Sequence, residues 1–296
     1  MSQKLDRMQL RKLWQQAMAE DGAEEDITSQ CAIPEGTPGT APVVAREAGV
    51  FAGRAVFDLL KEAYATRLTV RAVVEDGAEL AAGMTIATLV GPLQMLLGIE
   101  RTLLNFLQRL CGVATLTRKY VNAVAGTGAK ILDTRKTIPG WRQLDKYAVR
   151  CGGGHNHRCG LHDAILVKDN HLAGVDLGRL KARAMQIVGP ATALNPPPAF
   201  VEFEVDSLEQ LEQLLPVVGI DVILLDNFTP AQMRQAVARR DELGLKGKLR
   251  LEASGGVNLE TVRAIAEVGV ERISVGAITH SARALDIAMD VELSTR

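Results

Sequence analysis

FVEFEVDSLEQLEQLLPVVGIDVILLD (residues 200–226) reads as one strand–helix–strand unit. FVEFEV (200–205) and VILLD (222–226) are short apolar runs, β-branched or Leu-rich, and a helical pattern at 207–216 lies between them. The same pattern extends in both directions. AKILD (129–133) and AILVK (164–168) precede it, and LRLEAS (249–254) and RISVG (272–276) follow. Further helices are expected at about 113–126, ahead of the first strand, and at 176–188, 230–243, 258–268 and 281–291. Strands alternating with helices predict a parallel sheet.

The ends of these strands decide between a barrel and a doubly wound sheet. Their C-terminal ends carry Asp133, Arg135 and Lys136, then Lys168 and Asp169, Glu204, Asp226, Ser254-Gly255-Gly256, and Gly276. Polar groups at the C-terminal end of every strand are the layout of a (β/α) barrel site. A doubly wound sheet uses mainly its switch-point strands. Six strands are fewer than the roughly eight of a complete barrel, so the α/β fold expected here is an incomplete (β/α) barrel. The chain has no G-x-G-x-x-G and no P-loop.

Upstream the pattern differs. Residues 4–20 form an amphipathic helix pattern, and residues 41–92 are short β-prone runs broken by Glu-Asp-Gly and Ala-Ala-Gly turns, with a helix at about 53–64. That describes a small α+β domain on an antiparallel sheet. LQMLLGIERTLLNFLQRL (93–110) is a strong helix on which Arg101, Asn105 and Gln108 form one polar line.

At 296 residues the chain is long enough for a sizeable core. Its 34 basic and 35 acidic side chains give a net charge of −1, which argues against nucleic acid or an anionic membrane as partner. No window holds 18 apolar residues, and the N-terminal stretch is charged throughout, so a cytoplasmic location is expected. Four scattered cysteines (31, 111, 151 and 159) suit reduced thiols.

Chemistry concentrates in DTRKTIPGWRQLDKYAVRCGGGHNHRCGLHDAILVKDNH (133–171). Arg135, Lys136, His157, Arg158 and Lys168 stand at the ends of apolar runs and beside a Gly-Gly-Gly turn, a placement suited to facing an anion. Lys168 has two other readings, as a Schiff-base lysine of a barrel aldolase or as a structural ion-pair partner. Ser254-Gly255-Gly256-Val257 and Gly276-Ala277 each follow a strand and precede a helix, where backbone N–H groups can hold phosphate. Glu204 and Asp226 are the matching acids, suited to Mg²⁺ or to ribose hydroxyls, with a structural salt bridge to a lysine as the alternative for each. Cys151, His155, His157 and Cys159 crowd four potential ligands into nine residues, a spacing that matches no usual zinc site. The glycines there suit a sharp turn that aims His157 and Arg158 inward.

Several motifs together resemble those of the quinolinate phosphoribosyltransferases, also called nicotinate-nucleotide pyrophosphorylases (carboxylating). They are DTRKT (133–137), GGHNHRCGL (153–161), LVKDNH (166–171), EFEVDS (202–207), LLDNF (224–228), ASGGVN (253–258) and SVGAITHS (274–281), with EDITS (25–29) and ERTLLN (100–105) upstream. The resemblance covers nearly the whole chain. It implies an N-terminal α/β sandwich domain (1–114), a barrel domain (115–280) and a C-terminal helix (281–296) returning to the first domain. It implies conversion of quinolinate and phosphoribosyl pyrophosphate to nicotinate mononucleotide, pyrophosphate and CO₂ with Mg²⁺, a step of de novo NAD synthesis. It also implies a homodimer in which Arg101 reaches the partner's site.

Residue by residue, the resemblance implies that Arg135, His157, Arg158 and Lys168 hold the two quinolinate carboxylates. Lys136 and Lys168 would face phosphoribosyl pyrophosphate. Glu204 and Asp226 would contact ribose hydroxyls and Mg²⁺, and Ser254–Val257 with Gly276–Ala277 would hold the 5′-phosphate. The rivals are a related phosphoribosyltransferase acting on another substrate, a Lys168 aldolase, and a non-catalytic phosphate-ligand sensor.

Overall fold

The computed structural model describes residues 5–72, 74–191 and 193–293. The chain divides into two compact units: residues 119–136 with 154–277, and the described residues up to 118 with 137–153 and those from 278 on. Among the described residues, no helix is long and apolar enough to cross a membrane.

The second of these units is built on β1 (Pro38–Ala45), β2 (Gly49–Val50), β3 (Thr69–Ala72), β4 (Glu79–Leu80) and β5 (Thr85–Pro92). β5 lies between β1 and β3 and is antiparallel to both, and β2 pairs with β4. On β1, Ala41, Val43 and Ala45 are fully buried at alternate positions, the period expected of a half-buried strand. The helix Arg54–Ala63 buries Val56, Phe57, Leu59 and Leu60, and Asp76 Oδ1 accepts the N–H groups of Gly53 and Arg54 at its start.

The other unit holds β6 (Lys130–Leu132), β7 (Ile165–Val167), β8 (Val201–Val205), β9 (Val222–Asp226), β10 (Arg250–Ser254) and β11 (Arg272–Ser274). All its pairs are parallel, in the order β6-β11-β10-β9-β8-β7. The first strand therefore lies beside the last, as a barrel requires and a doubly wound sheet does not. No described pair joins β6 to β7. There His155 makes a single parallel bridge with Leu132, so the barrel is incomplete. All six expected strands are present.

Three expectations change. The helices at 93–110 and 113–126 are one continuous helix, Leu93–Ala123, because nothing in CGVATL breaks the helical repeat. Gln108 is not part of an idle polar face: its side chain donates to Ile287 O at 2.8 Å, while Arg101 and Asn105 are exposed. The helix expected at 281–291, and with it the C-terminal helix of 281–296, is replaced over the described residues by β12 (Ile287–Met289) and β13 (Glu292–Leu293), both antiparallel to β1. Leu285, Ile287 and Met289 are buried at alternate positions, a strand period that the helical reading overlooked. Residues 294–296 lie outside the described residues. A helix not expected, Arg142–Cys151, buries Leu144, Tyr147 and Ala148.

Candidate active site

The barrel unit collects a set of charged groups around the segment after the glycine turn. Asp133, fully buried just past β6, accepts the backbone N–H of His157 at 2.9 Å and a bond from Asn156 Nδ2. This carboxylate ties Asn156-His157-Arg158 to the end of the first strand. His157 and Arg158 are consequently both buried, as the glycine turn suggested.

Arg158 is 7% exposed, with Nη1 donating to Ala164 O at 3.3 Å. Its buried Nε has no hydrogen-bond partner among the described residues. Burial lowers its pKa, and the nearby positive charge of Arg135 lowers it further, against the opposing pull of Glu202 and Asp163. A guanidinium disfavoured by burial and by a neighbouring positive charge is the expected lining for an anion.

Lys168, just past β7, has its Nζ 2.5 Å from Glu204 Oε2. Its backbone N–H is accepted by His171 Nδ1 at 2.9 Å, which gives His171 a structural role. Glu204 and Asp226 line one cavity of about 240 Å³ together with Asp169 and Asp206. Carboxylate side chains lining one cavity are the type of donor a hard divalent cation takes, although among the described residues no three of these four bring ligand atoms within 4.8 Å of one another. Lys136 is exposed, and Thr134 Oγ1 accepts its backbone N–H at 3.0 Å.

The two glycine loops follow β10 and β11 as expected. Gly255 and Gly256 have φ of +91° and +61°, and a Cβ on Gly255 would lie 2.1 Å from Asn227 Oδ1. Asn227 is itself left-handed (φ 55°), and its N–H donates to Ser254 O at 2.9 Å. The loop is thus pressed against the end of β9, leaving only glycine room at 255. Ser254 and Val257 are half-buried, and Gly276 with Ala277 opens the short helix Ala277–His280.

Beneath these groups lies a polar cluster that the sequence reading did not single out. His157 Nε2 is 2.8 Å from Glu202 Oε2 and 3.4 Å from Glu252 Oε1. Glu252 also accepts from Ser274 Oγ and pairs with Arg272 Nε, its direct neighbour across β10 and β11. Phe200 meets the His157 ring edge-on at 5.2 Å and carries the Arg272 guanidinium over its face. The signal was present as strand alternation. Glu202 precedes Glu204 by two residues, Glu252 precedes Ser254 and Arg272 precedes Ser274, so each pair shares one face of its strand.

The charges in this cluster are strongly coupled. Burial raises the Glu202 pKa, and the charge of Glu252 adds to that. Burial also opposes charge on Glu252, but His157, Arg272 and Ser274 outweigh it and hold that carboxyl at about 2. Burial opposes an imidazolium at His157 as well. Hydrogen bonds and charge from Glu202 and Glu252 outweigh it and lift the ring to about 9. The Arg158 N–H meets Nδ1 at 2.8 Å and works against a second proton there.

His157, Glu202 and Glu252 are the described residues that bring three potential metal-ligating atoms within 4.8 Å of one another. Arg272 and Ser274 already engage Glu252, which supplies the counter-charge a metal would otherwise provide. No described grouping unites Cys151, His155, His157 and Cys159. His155 is instead used through its backbone, donating to Ile131 O at 2.8 Å.

Arg101 belongs to the unit other than the one holding this cluster.

An incomplete (β/α) barrel with cations, acids and glycine loops at its strand ends defines a class of protein that binds anionic small molecules there. Residues 113–290 match the family described as quinolinate phosphoribosyl transferase, C-terminal domain, and residues 26–111 match its N-terminal domain. The chain belongs to this family. A nicotinate-nucleotide pyrophosphorylase [carboxylating] of Mycobacterium leprae is 46% identical over 270 residues, 90% of this chain and 91% of the relative. A probable enzyme of the same name from Bacillus subtilis is 41% identical over 298 residues, 98% of this chain and 96% of the relative. The solved nicotinate-nucleotide pyrophosphorylase of Francisella tularensis superposes with a TM-score of 0.86 at 37% identity, covering 98% of each chain.

Proposed function

We propose that this chain is a quinolinate phosphoribosyltransferase, joining quinolinate to phosphoribosyl pyrophosphate and releasing pyrophosphate and CO₂ to give nicotinate mononucleotide for NAD synthesis. The observation that carries this reading is the buried Arg158, with an unpartnered Nε, held beside the charge of Arg135. Two adjacent guanidiniums match two adjacent carboxylates, each bidentate. Nicotinate, with a single carboxylate, would leave part of this charge unmatched.

In this reading Arg135, Arg158 and Lys168 orient the pyridine dicarboxylate, with His157 in the same wall. Lys136 and Lys168 face the pyrophosphate. The Ser254–Val257 and Gly276–Ala277 loops hold the 5′-phosphate through backbone N–H groups. The pyridine nitrogen has no proton to lose, so no general base is required for its attack on the ribose carbon. The ring then carries positive charge, which stabilises the electron pair left on the adjacent ring carbon as CO₂ departs, and that carbon takes up a proton from solvent to give nicotinate mononucleotide. Glu204 and Asp226 would hold Mg²⁺, which when bound would neutralise charge on the leaving pyrophosphate. Both carboxylates also suit ribose hydroxyls. The cytoplasmic location and the homodimer belong to the same proposal, with Arg101 of each chain serving the other's site. Its support is a charged side chain exposed on a helix whose neighbours Leu103 and Leu104 are buried.

A Schiff-base role for Lys168 fits less well, because its Nζ is already engaged by Glu204 Oε2 at 2.5 Å. The test of function is a release assay with purified protein, Mg²⁺, phosphoribosyl pyrophosphate and carboxyl-labelled quinolinate, run beside nicotinate. Labelled CO₂ and nicotinate mononucleotide from quinolinate alone are expected. Product from nicotinate would overturn the dicarboxylate reading.

Gly255→Ala is expected to raise the KM for phosphoribosyl pyrophosphate by roughly tenfold or more, since the added Cβ meets Asn227 and the backbone is left-handed. Quinolinate binding measured alone should change little. Unchanged KM for phosphoribosyl pyrophosphate would remove this loop from the phosphate site.

A further inference from the structure

His157 is placed in the carboxylate-binding wall by its motif, yet both its ring nitrogens are engaged inside the protein. Nε2 faces Glu202 Oε2 at 2.8 Å, and Nδ1 receives the Arg158 N–H at 2.8 Å. Phe200 closes against the ring edge-on, and the backbone N–H of His157 is taken by Asp133. The imidazole is therefore held from its main chain, from both nitrogens and from one edge. Glu202 is fully buried as the second residue of β8, on the strand face that two residues later presents Glu204. A carboxylate so deeply buried is expected to be matched by a partner, and Nε2 lies 2.8 Å from its Oε2 as an ion pair.

We propose that Glu202 is a positioning residue for quinolinate: it anchors His157 Nε2, and the ring so fixed sets the Arg158 backbone and the place where the Arg158 guanidinium meets the substrate. His157 then works as a bracket between Glu202 and Arg158 and brings no ring nitrogen to the carboxylates. The inference rests on the quinolinate reading above and concerns how that site is held. An anchor of this kind depends on reach and on an acceptor oxygen. A contribution through negative charge would depend on charge alone. Two substitutions separate these. Glu202→Gln keeps the length and an acceptor oxygen but removes the charge. Glu202→Asp keeps the charge but withdraws the carboxylate by one methylene.

The experiment compares KM for quinolinate, KM for phosphoribosyl pyrophosphate and kcat for the wild type and both variants, with thermal melts alongside. Glu202→Gln is expected to keep the quinolinate KM within about threefold of wild type, and Glu202→Asp to raise it roughly tenfold. The KM for phosphoribosyl pyrophosphate should move less than about twofold in either. Equal or better performance by Glu202→Asp would overturn the inference in favour of charge. Wild-type KM values in both variants with lowered melting temperatures would overturn it in favour of a purely structural acid. Absence of turnover by the wild type would overturn the quinolinate reading and this inference together, so the two failures are distinguishable.

Discussion

Replacing Arg158 with alanine is expected to lower kcat/KM for quinolinate by roughly a hundredfold or more, with a higher KM and a lower kcat. The guanidinium is buried beside Arg135 and has an unused Nε. A charge-assisted, bidentate contact in such a place is worth about 3 kcal/mol, and about 1.4 kcal/mol is tenfold. The folded state should suffer little, because the lost attractions to Glu202 and Asp163 and the single long bond to Ala164 O are offset by relief of the like-charge contact with Arg135. Arg158→Lys should restore little, since a lysine presents a point charge in place of a planar fork. Steady-state kinetics with quinolinate varied, plus a thermal melt, checks both halves. Unchanged kinetics would take Arg158 out of the site.

Asp133→Ala should produce the largest combined effect on stability and turnover. Its carboxylate is fully buried and accepts from both the His157 backbone and the Asn156 side chain. Removing it takes a charged acceptor away from the buried His157 N–H, a cost of about 1–3 kcal/mol, and away from the half-buried Asn156 side chain. It also frees the segment that carries Arg158, so turnover should fall by roughly a hundredfold as well. Asp133→Asn should rescue only in part: one amide oxygen remains, but its NH₂ must face another donor. Denaturant unfolding and kcat/KM for quinolinate are the measurements. A variant with altered stability and intact turnover would show that Asp133 serves the fold alone.

Most of the barrel was legible without coordinates. Its strands are short apolar runs buried on both faces, and such runs announce themselves in any parallel sheet. The ligand candidates were legible because each stands where an apolar run stops. Other parts were misread for identifiable reasons. Arg142–Cys151 carries Leu144, Tyr147, Ala148 and Cys151 at helical spacing, but the charged residues interleaved among them mask that period. The residues 281–291 contain both a helical and an alternating pattern. The available edge of β1, where Ile287 pairs with Ala45 and Met289 with Val43, decides between them.

The amino-acid sequence by itself determined the alternation of strands and helices, the positions of the cations, acids and glycine loops along the chain, and the motifs that identify the family. All of these are local: they depend on period, spacing and residue type. Only the tertiary structure decided that the first parallel strand lies beside the last. It also decided that Glu202 and Glu252, 50 positions apart in the numbering, meet the same imidazole. Buried partnerships of this kind arise from closure of the sheet, which brings the inward faces of distant strands together. No local pattern encodes which inward acid will find which ring.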